Sequence, residues 1–222
     1  MIDFEKARIT MVDCQIRPND VTSHDVLRAF GEVPREMFVT AAQKPLAYID
    51  EDLAISTNGA GEDRYLMEPT PMARLVQLAD VTKDCIVLDV GCATGYSTAV
   101  LSRLCNSVVA LECDSELVER ASRSLTELGY DNAVVVEGPL EKGYPSEGPY
   151  DAIFIGGSVD YVPDAFLSQL KEGAKLVCVE GQGNSAVAKL YLREGGVLSG
   201  RVAFNCAVRP LPGFARASEF VF

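Results

Sequence analysis

A short turn near the middle of the chain carries the residue types that most directly indicate chemistry. The sequence Val87-Leu-Asp-Val-Gly-Cys-Ala-Thr-Gly-Tyr96 is an apolar strand followed by small residues that open a helix. Glycines adopt backbone conformations closed to other residues, and N–H groups bared at a helix N-terminus favour an anionic group. Gly91 and Gly95 therefore predict a turn at which a carboxylate or phosphate approaches the backbone.

An acidic residue, Glu112, ends the next predicted strand. Sheets that bind nucleotides place an acid about 20 residues after the glycine turn, where it accepts both ribose hydroxyls. The turn and the acid together predict a nucleoside site. Alone, the turn also fits a packing turn, and the acid alone also fits a solvated helix cap. The two glycines lie four residues apart with Ala93 between them, whereas the dinucleotide fingerprint places its last glycine five after its first. The spacing disfavours NAD.

Regular alternation of apolar strands and helices predicts the sheet that positions this turn. Near-continuous apolar runs are typical of strands covered on both faces. The alternation predicts an α/β fold with a doubly wound, mostly parallel sheet. The predicted strands are 85–90, 107–112, 133–137, 150–155 and 175–180, and the helices between the first three are 94–104 and 115–128.

The two ends of the chain have different patterns. Helices are predicted over 4–16, from Ser23 to the proline at 34, and after Pro69, whereas 50–68 reads as a loop or short extended segment. The β-rich tail predicts antiparallel strands at one sheet edge. We therefore expect one domain over 1–222, with N-terminal helices and a loop (1–80), a cofactor-binding core (81–185) and a C-terminal β edge (186–222).

Composition argues against several classes of function. The net charge is -12 and no basic run occurs, which disfavours nucleic acid as a partner. No apolar run is long enough to span a membrane, and the first residues are acidic where a signal peptide carries bases, so we expect a cytoplasmic protein. The seven cysteines are scattered and His24 is the single histidine, so we expect no metal centre and mostly buried thiols.

Beyond these features, the chain resembles the protein-L-isoaspartate (D-aspartate) O-methyltransferases. The cofactor loop over 88–99 is common to many methyltransferases, whereas the N-terminal blocks and the order of the blocks are more particular to this family. The resemblance covers most of the chain. The similar blocks are 20–27, 33–39, 47–50, 88–99, 148–153, 162–163 and 169–173.

The resemblance implies a Rossmann-like fold that binds S-adenosylmethionine and methylates the carboxylate of an isoaspartyl residue in a protein or peptide. It implies that Glu112 holds the ribose of the cofactor and that residues of the glycine turn surround its methionine part. Gly138, Pro139 and Leu140 correspond to the segment near the adenine. The residues implied around the methionine are Asp89, Gly91, Cys92, Ala93 and Gly95.

Three segments depart from the family pattern. A Thr-Ile-Ser-x-Pro-like stretch closes over cofactor and substrate in the family, and here Met67 replaces the serine, with Glu68 and Thr70 as further candidates on the acceptor side. Pro139 replaces the aspartate of a Gly-Asp-Gly segment, which removes a side-chain acceptor for the adenine amino group. Ala93 replaces the middle glycine of the loop.

Methyl transfer from a sulfonium requires alignment and the exclusion of water more than side-chain chemistry. A carboxylate acceptor has a pKa of roughly 4 and needs no general base at neutral pH. A phenolic acceptor would need one, for which Glu68 and Asp160 are candidates. Three hypotheses remain: a protein-carboxyl methyltransferase, a methyltransferase with a small-molecule acceptor, and a non-catalytic nucleoside-binding or interaction protein. We expect a monomer.

Overall fold

The computed structural model describes residues 2–56 and 63–216, and its centre is a seven-stranded sheet. The strand order is β5-β4-β3-β6-β7-β8-β9, with parallel pairing from β5 to β7 and antiparallel pairing from β7 to β9. This confirms the predicted mostly parallel sheet with an antiparallel C-terminal edge. Its strands are β3 (Ile86–Val90), β4 (Ser107–Glu112), β5 (Ala133–Glu137), β6 (Tyr150–Val159), β7 (Leu170–Glu180), β8 (Val187–Glu194) and β9 (Val197–Asn205).

Some of the helices begin at residues whose side chains cap the first turn. The Ser23 hydroxyl and the Asp114 carboxylate accept hydrogen bonds from the first turns of their helices, which satisfies otherwise unpaired N–H groups. The helix predicted over 94–104 starts only at Tyr96, because Gly95 is left-handed. The α-helices are α1 (Phe4–Met11, continued by a π turn over Val12–Ile16), α2 (His24–Glu32), α3 (Pro69–Ala79), α4 (Tyr96–Ser102) and α5 (Ser115–Glu127).

Two apolar cores cover the two faces of the sheet. All five α-helices of the described residues contribute to the larger core, for example through Met72 of α3 and Leu117 of α5. The second core contains Leu140 and Phe166 from 3₁₀ turns, together with Leu211 and Phe214 from the tail. The second face is therefore covered by short turns and by the tail, rather than by α-helices, within 2–56 and 63–216.

The segment predicted as a loop or short extended stretch forms a small hairpin. β1 (Leu53–Ser56) pairs with β2 (Arg64–Leu66) in antiparallel register. The sequence Asn58–Gly61, which indicated a loop, lies outside the described residues. β2 leads directly into α3, so the hairpin brings its side chains to the carboxyl end of β3.

The tail after β9 is attached to the end of β6. Ser158 donates its N–H to the Arg209 carbonyl oxygen and accepts the Leu211 N–H, both at 2.9 Å. β6 extends beyond its predicted end at Ile155 and includes Gly156 and Gly157. The end of the β-rich tail, residues 217–222, lies outside the described residues.

No helix in the described ranges is both long and apolar enough to cross a membrane. Among the same residues, no group of three or more His, Cys, Asp or Glu side chains is arranged to hold a metal ion.

Candidate cofactor site

The turn after β3 is shaped by three residues with left-handed backbone. Gly91, Ala93 and Gly95 have φ of 80°, 54° and 94°. Gly95 also packs closely, since a Cβ there would lie 3.3 Å from the Ala121 Cβ. The alternation of conformations turns the backbone sharply between β3 and α4 and brings the turn to the end of β4.

Glu112 meets this turn directly. Its side chain is fully buried, and its Oε2 accepts the Ala93 N–H at 2.8 Å. Oε1 accepts the Cys113 N–H, also at 2.8 Å. The structure thus brings together the turn and the acid that the sequence marked as a nucleoside site, with the carboxylate tied to the turn by a charge-assisted hydrogen bond.

Asp89 lies beneath the turn in β3 and is fully buried. Its Oδ2 accepts hydrogen bonds from the Ser97 and Thr98 hydroxyls, each at 2.7 Å. Burial raises the pKa of this carboxyl to about 6. Oδ1 has no hydrogen-bond partner among the described residues, and the buried Thr94 hydroxyl has none either. A buried carboxylate oxygen without a partner suits a cationic ligand group such as an ammonium.

The segment that corresponds to the adenine side lies next to Glu112. The Gly138 N–H donates to the Glu112 carbonyl oxygen at 3.0 Å. Pro139 is exposed and Leu140 is buried. Pro139 has no side-chain acceptor, unlike the aspartate of the family pattern.

Cys92 is a buried member of the turn rather than a nucleophile. Burial raises the pKa of its thiol well above the usual value. The reactive form of cysteine is the thiolate, so this side chain remains an inert thiol at neutral pH.

The three acceptor-side candidates, Met67, Glu68 and Thr70, lie in different environments in the structure. Met67 lines the small cavity over the turn, whereas Glu68 and Thr70 are not among the described residues that line it. Thr70 donates from its hydroxyl to Asp50 at 2.6 Å. Burial, together with Asp52 and other nearby acids, raises the pKa of Glu68 to about 7. Thr70 thus helps to fix the start of α3, and Glu68 belongs to an acidic cluster beside the cavity.

Asp160, the other base candidate, is held by structural contacts. The Arg216 N–H and the Gln182 amide donate to its carboxylate, at 2.9 and 3.0 Å. These hydrogen bonds lower the pKa of Asp160, which makes it a weaker base.

Arg64 of β2 is a site residue that the sequence did not reveal. Its guanidinium forms a two-pronged ion pair with Glu112, Nη1 to Oε1 and Nη2 to Oε2, the latter at 2.8 Å. Nη2 also lies 3.4 Å from the Gly91 carbonyl oxygen. The Arg64 side chain is 5% exposed and that of Glu112 is 0% exposed. A single arginine at the start of a short strand carries no local signal of such a role.

Leu211 of the tail packs against the same turn. A Cβ placed on Gly91 would lie 2.8 Å from a methyl group of Leu211, and one on Gly157 would lie 2.7 Å from its Cγ. Both glycines therefore make room for this side chain. Residues of the segment 209–214 line the narrow space beside Arg64 and also pack in the second core.

The remaining space over the turn is small. The cavity lined by Met67, Gly91, Ala93 and neighbouring residues measures about 20 Å³, and that between Arg64 and the tail about 10 Å³. Pockets for cofactors typically occupy about 300–1,000 Å³. Glu112 and the unpaired Asp89 oxygen are polar groups of the kind that would hold a nucleoside joined to an amino acid, and Arg64 and Leu211 both lie against Gly91 of the turn.

The parallel sheet, the glycine turn and the acid at the end of the following strand define a Rossmann-like fold of the methyltransferase class. A structure described as a protein-L-isoaspartate O-methyltransferase superposes with a TM-score of 0.82 at 28% identity, covering 94% of this chain and 66% of that one. A Plasmodium falciparum structure, named as a candidate for the same enzyme in complex with S-adenosyl-L-homocysteine, superposes with a TM-score of 0.75 at 19% identity, covering 91% of this chain and 96% of that one.

The sequence relatives specify the family. The family model described as protein-L-isoaspartate(D-aspartate) O-methyltransferase matches residues 7–213. Protein-L-isoaspartate O-methyltransferase 1 of Syntrophobacter fumaroxidans is 34% identical over 88% of this chain and 88% of its own length. Protein-L-isoaspartate O-methyltransferase 2 of Shewanella sediminis is 37% identical over 78% of this chain and 69% of its own length. The chain belongs to the protein-L-isoaspartate(D-aspartate) O-methyltransferase family.

Proposed function

We propose that this chain is an S-adenosylmethionine-dependent methyltransferase that esterifies the carboxylate of isoaspartyl residues in proteins or peptides. The observation that carries the proposal is the junction of Glu112 with the glycine turn, within a family match that covers residues 7–213. The names of the relatives and the S-adenosyl-L-homocysteine held by the Plasmodium falciparum structure support the same activity.

The cofactor, when bound, supplies an electrophilic methyl group. Glu112 would hold the ribose hydroxyls, and the turn formed by Gly91, Cys92, Ala93 and Gly95 would face the methionine part. Asp89 would accept a hydrogen bond from the ammonium group through its unpaired Oδ1. Gly138, Pro139 and Leu140 would border the adenine. These assignments are the ones that the family resemblance implies, and the geometry of the turn supports them.

The acceptor side supports a carboxylate rather than an acceptor that needs deprotonation. An isoaspartyl carboxylate is ionised at neutral pH, since its pKa is roughly 4. The work left to the protein is alignment and exclusion of water. Met67 and Tyr65 line the space beside the turn and would exclude water there. Arg209 lines the neighbouring space between Arg64 and the tail and lies 3.5 Å from the Asp52 carboxylate; it would offer a positive charge to an anionic acceptor.

We further propose that the protein acts as a cytoplasmic monomer, folded as one domain over 1–222. The acidic composition and the absence of a basic run support a protein substrate or a small molecule over nucleic acid.

The direct test is methylation of an isoaspartyl peptide. The purified full chain is incubated with S-adenosylmethionine and either that peptide or the same sequence with normal aspartate, and the methyl ester is detected by mass spectrometry. We expect ester on the isoaspartyl peptide alone, and its loss in Glu112→Gln. Binding of S-adenosylhomocysteine without methylation of either peptide would instead indicate a different, small-molecule acceptor.

A second candidate, a non-catalytic member of the family, is favoured by one specific observation: side chains of the protein itself fill the site. Arg64 pairs with Glu112, and Leu211 packs on Gly91. The lack of an acceptor at Pro139 favours the same candidate. Calorimetric titration with S-adenosylhomocysteine tests this candidate, because a family member that has lost its cofactor to a filled site binds none.

A further inference from the structure

The carboxylate of Glu112 has a full set of hydrogen-bond donors within the protein. An ionised carboxylate has about four lone-pair positions. The N–H groups of Ala93 and Cys113 use two of them, and the Asp114 N–H shares Oε1 at 3.3 Å; all three donors are fixed by the fold of the turn and of the end of β4. Arg64 uses the other two, one on each oxygen. Ribose hydroxyls can donate to Glu112 only at the positions that Arg64 now occupies.

The space for a cofactor is filled together with these donor positions. Leu211 lies against Gly91, at the face of the turn where a ligand would approach, and the nearest Arg64 nitrogen lies 3.5 Å from the position of a Cβ on the same glycine. The backbone of the tail holds Leu211 there through the two hydrogen bonds of Ser158. Arg64 and Leu211 thus come from separate segments and meet over one turn.

We propose that Arg64 and Leu211 form an internal plug of the cofactor site, with Arg64 as the residue that determines cofactor affinity. The inference rests on the proposed function and goes beyond it. Binding of S-adenosylmethionine requires the guanidinium to leave Glu112 and the leucine to leave Gly91. The observed affinity is therefore the affinity of the open form multiplied by the fraction of molecules that are open.

The ion pair makes this fraction small. Both side chains are buried, and removing one partner of a buried pair leaves an uncompensated charge. Two ribose hydroxyls return hydrogen bonds to Glu112 but bring no positive charge. The released guanidinium must find another environment, so opening opposes binding. Loss of Arg64 removes this opposition.

The test is calorimetric titration of S-adenosylhomocysteine into the full chain and three variants. Arg64→Ala removes the competing cation, and Leu211→Ala shortens the other half of the plug while leaving the ion pair intact. Arg201→Ala is the matched control, because this arginine is exposed on β9, at the far edge of the sheet. Thermal unfolding with and without the same ligand gives a second readout.

We expect Arg64→Ala to bind at least about ten times more tightly than the wild type, which corresponds to about 1.4 kcal/mol. Leu211→Ala should show a smaller gain of about threefold, and Arg201→Ala should match the wild type. The stabilisation of Arg64→Ala by ligand should also exceed that of the wild type, because tighter binding raises the melting temperature further. Binding by the variants but not by the wild type would support the plug as well.

Two results would overturn the proposal in distinguishable ways. Wild-type binding that is equal to or tighter than that of both Arg64→Ala and Leu211→Ala would refute the plug and leave the proposed function intact. No binding by any of the four proteins would refute the use of this cofactor, and the plug with it. If Arg64→Ala does not fold, Leu211→Ala decides, since it keeps the Arg64–Glu112 pair.

Discussion

Breaking the ion pair between Arg64 and Glu112 from one side should destabilise the fold strongly. In Glu112→Gln the buried guanidinium loses its counter-charge, and the amide places a donor where Arg64 or a backbone N–H also donates. Since the two side chains are 5% and 0% exposed, the pair belongs to the buried class. Loss of one partner there costs about 3–5 kcal/mol.

That cost should be visible in thermal unfolding. For a chain of this size, each kcal/mol of lost stability lowers the melting temperature by about 2–4 °C. The melting temperature of Glu112→Gln should therefore lie about 6–20 °C below that of the wild type. The melting temperature of Arg64→Leu should fall by a similar amount for the opposite reason, because this variant leaves the buried carboxylate of Glu112 unpaired. The free energies of unfolding are measured by urea titration of both single variants and of the double variant.

The double variant discriminates between a true pair and two unrelated sites. Removing both charges leaves no uncompensated ion, so Arg64→Leu/Glu112→Gln should be more stable than the sum of the single effects predicts, with a coupling energy of at least about 2 kcal/mol. A coupling below about 0.5 kcal/mol, the size found for exposed pairs, would refute the reasoning from burial.

Three further predictions follow from other parts of the site. The folded pKa of Glu68 is raised to about 7, so this carboxyl should reduce stability as pH rises from its unfolded pKa of about 4.3 towards 7. The loss should be about 1 kcal/mol, because the group is partly exposed and screened by solvent. Glu68→Gln should flatten this part of the urea-derived stability profile, and an unchanged slope would contradict the assignment. Ala93→Gly should raise the free energy of unfolding by about 1 kcal/mol by relieving the left-handed backbone at φ 54°; a loss of stability would show that the methyl group packs more than it strains. Phe214→Ala should cost about 3–5 kcal/mol, because the ring is buried and stacks on Phe166, whereas a loss below about 1 kcal/mol would mean that the tail is not part of the core.

Much of the fold could be predicted because its signals are local along the chain. The apolar runs of the parallel strands, the capping serine at 23 and the proline at 69 each specify an element within a few residues. The ends of the helices and strands were predicted less accurately. α4 is shorter than predicted, since the residue before Tyr96 is left-handed, and β6 is longer, since pairing with β7 carries it to Val159.

The acceptor-side candidates show where local reasoning fails. Met67, Glu68 and Thr70 are neighbours in sequence and all lie within the described residues. Of these three, only Met67 lines the cavity over the turn. Thr70 pairs with Asp50 instead. Side chains at the start of a helix point in different directions, and the contacts that select among them come from other segments.

The sequence by itself determined that a glycine turn after β3 meets an acid at the end of β4, because the carboxyl ends of adjacent parallel strands lie at one edge of a sheet. Only the tertiary structure decided what stands in that site. Arg64 is 48 residues from Glu112 along the chain, and Leu211 reaches Gly91 through the attachment of the tail to β6. Both contacts depend on how a hairpin and a tail dock on the sheet, and no local pattern of residues specifies such docking.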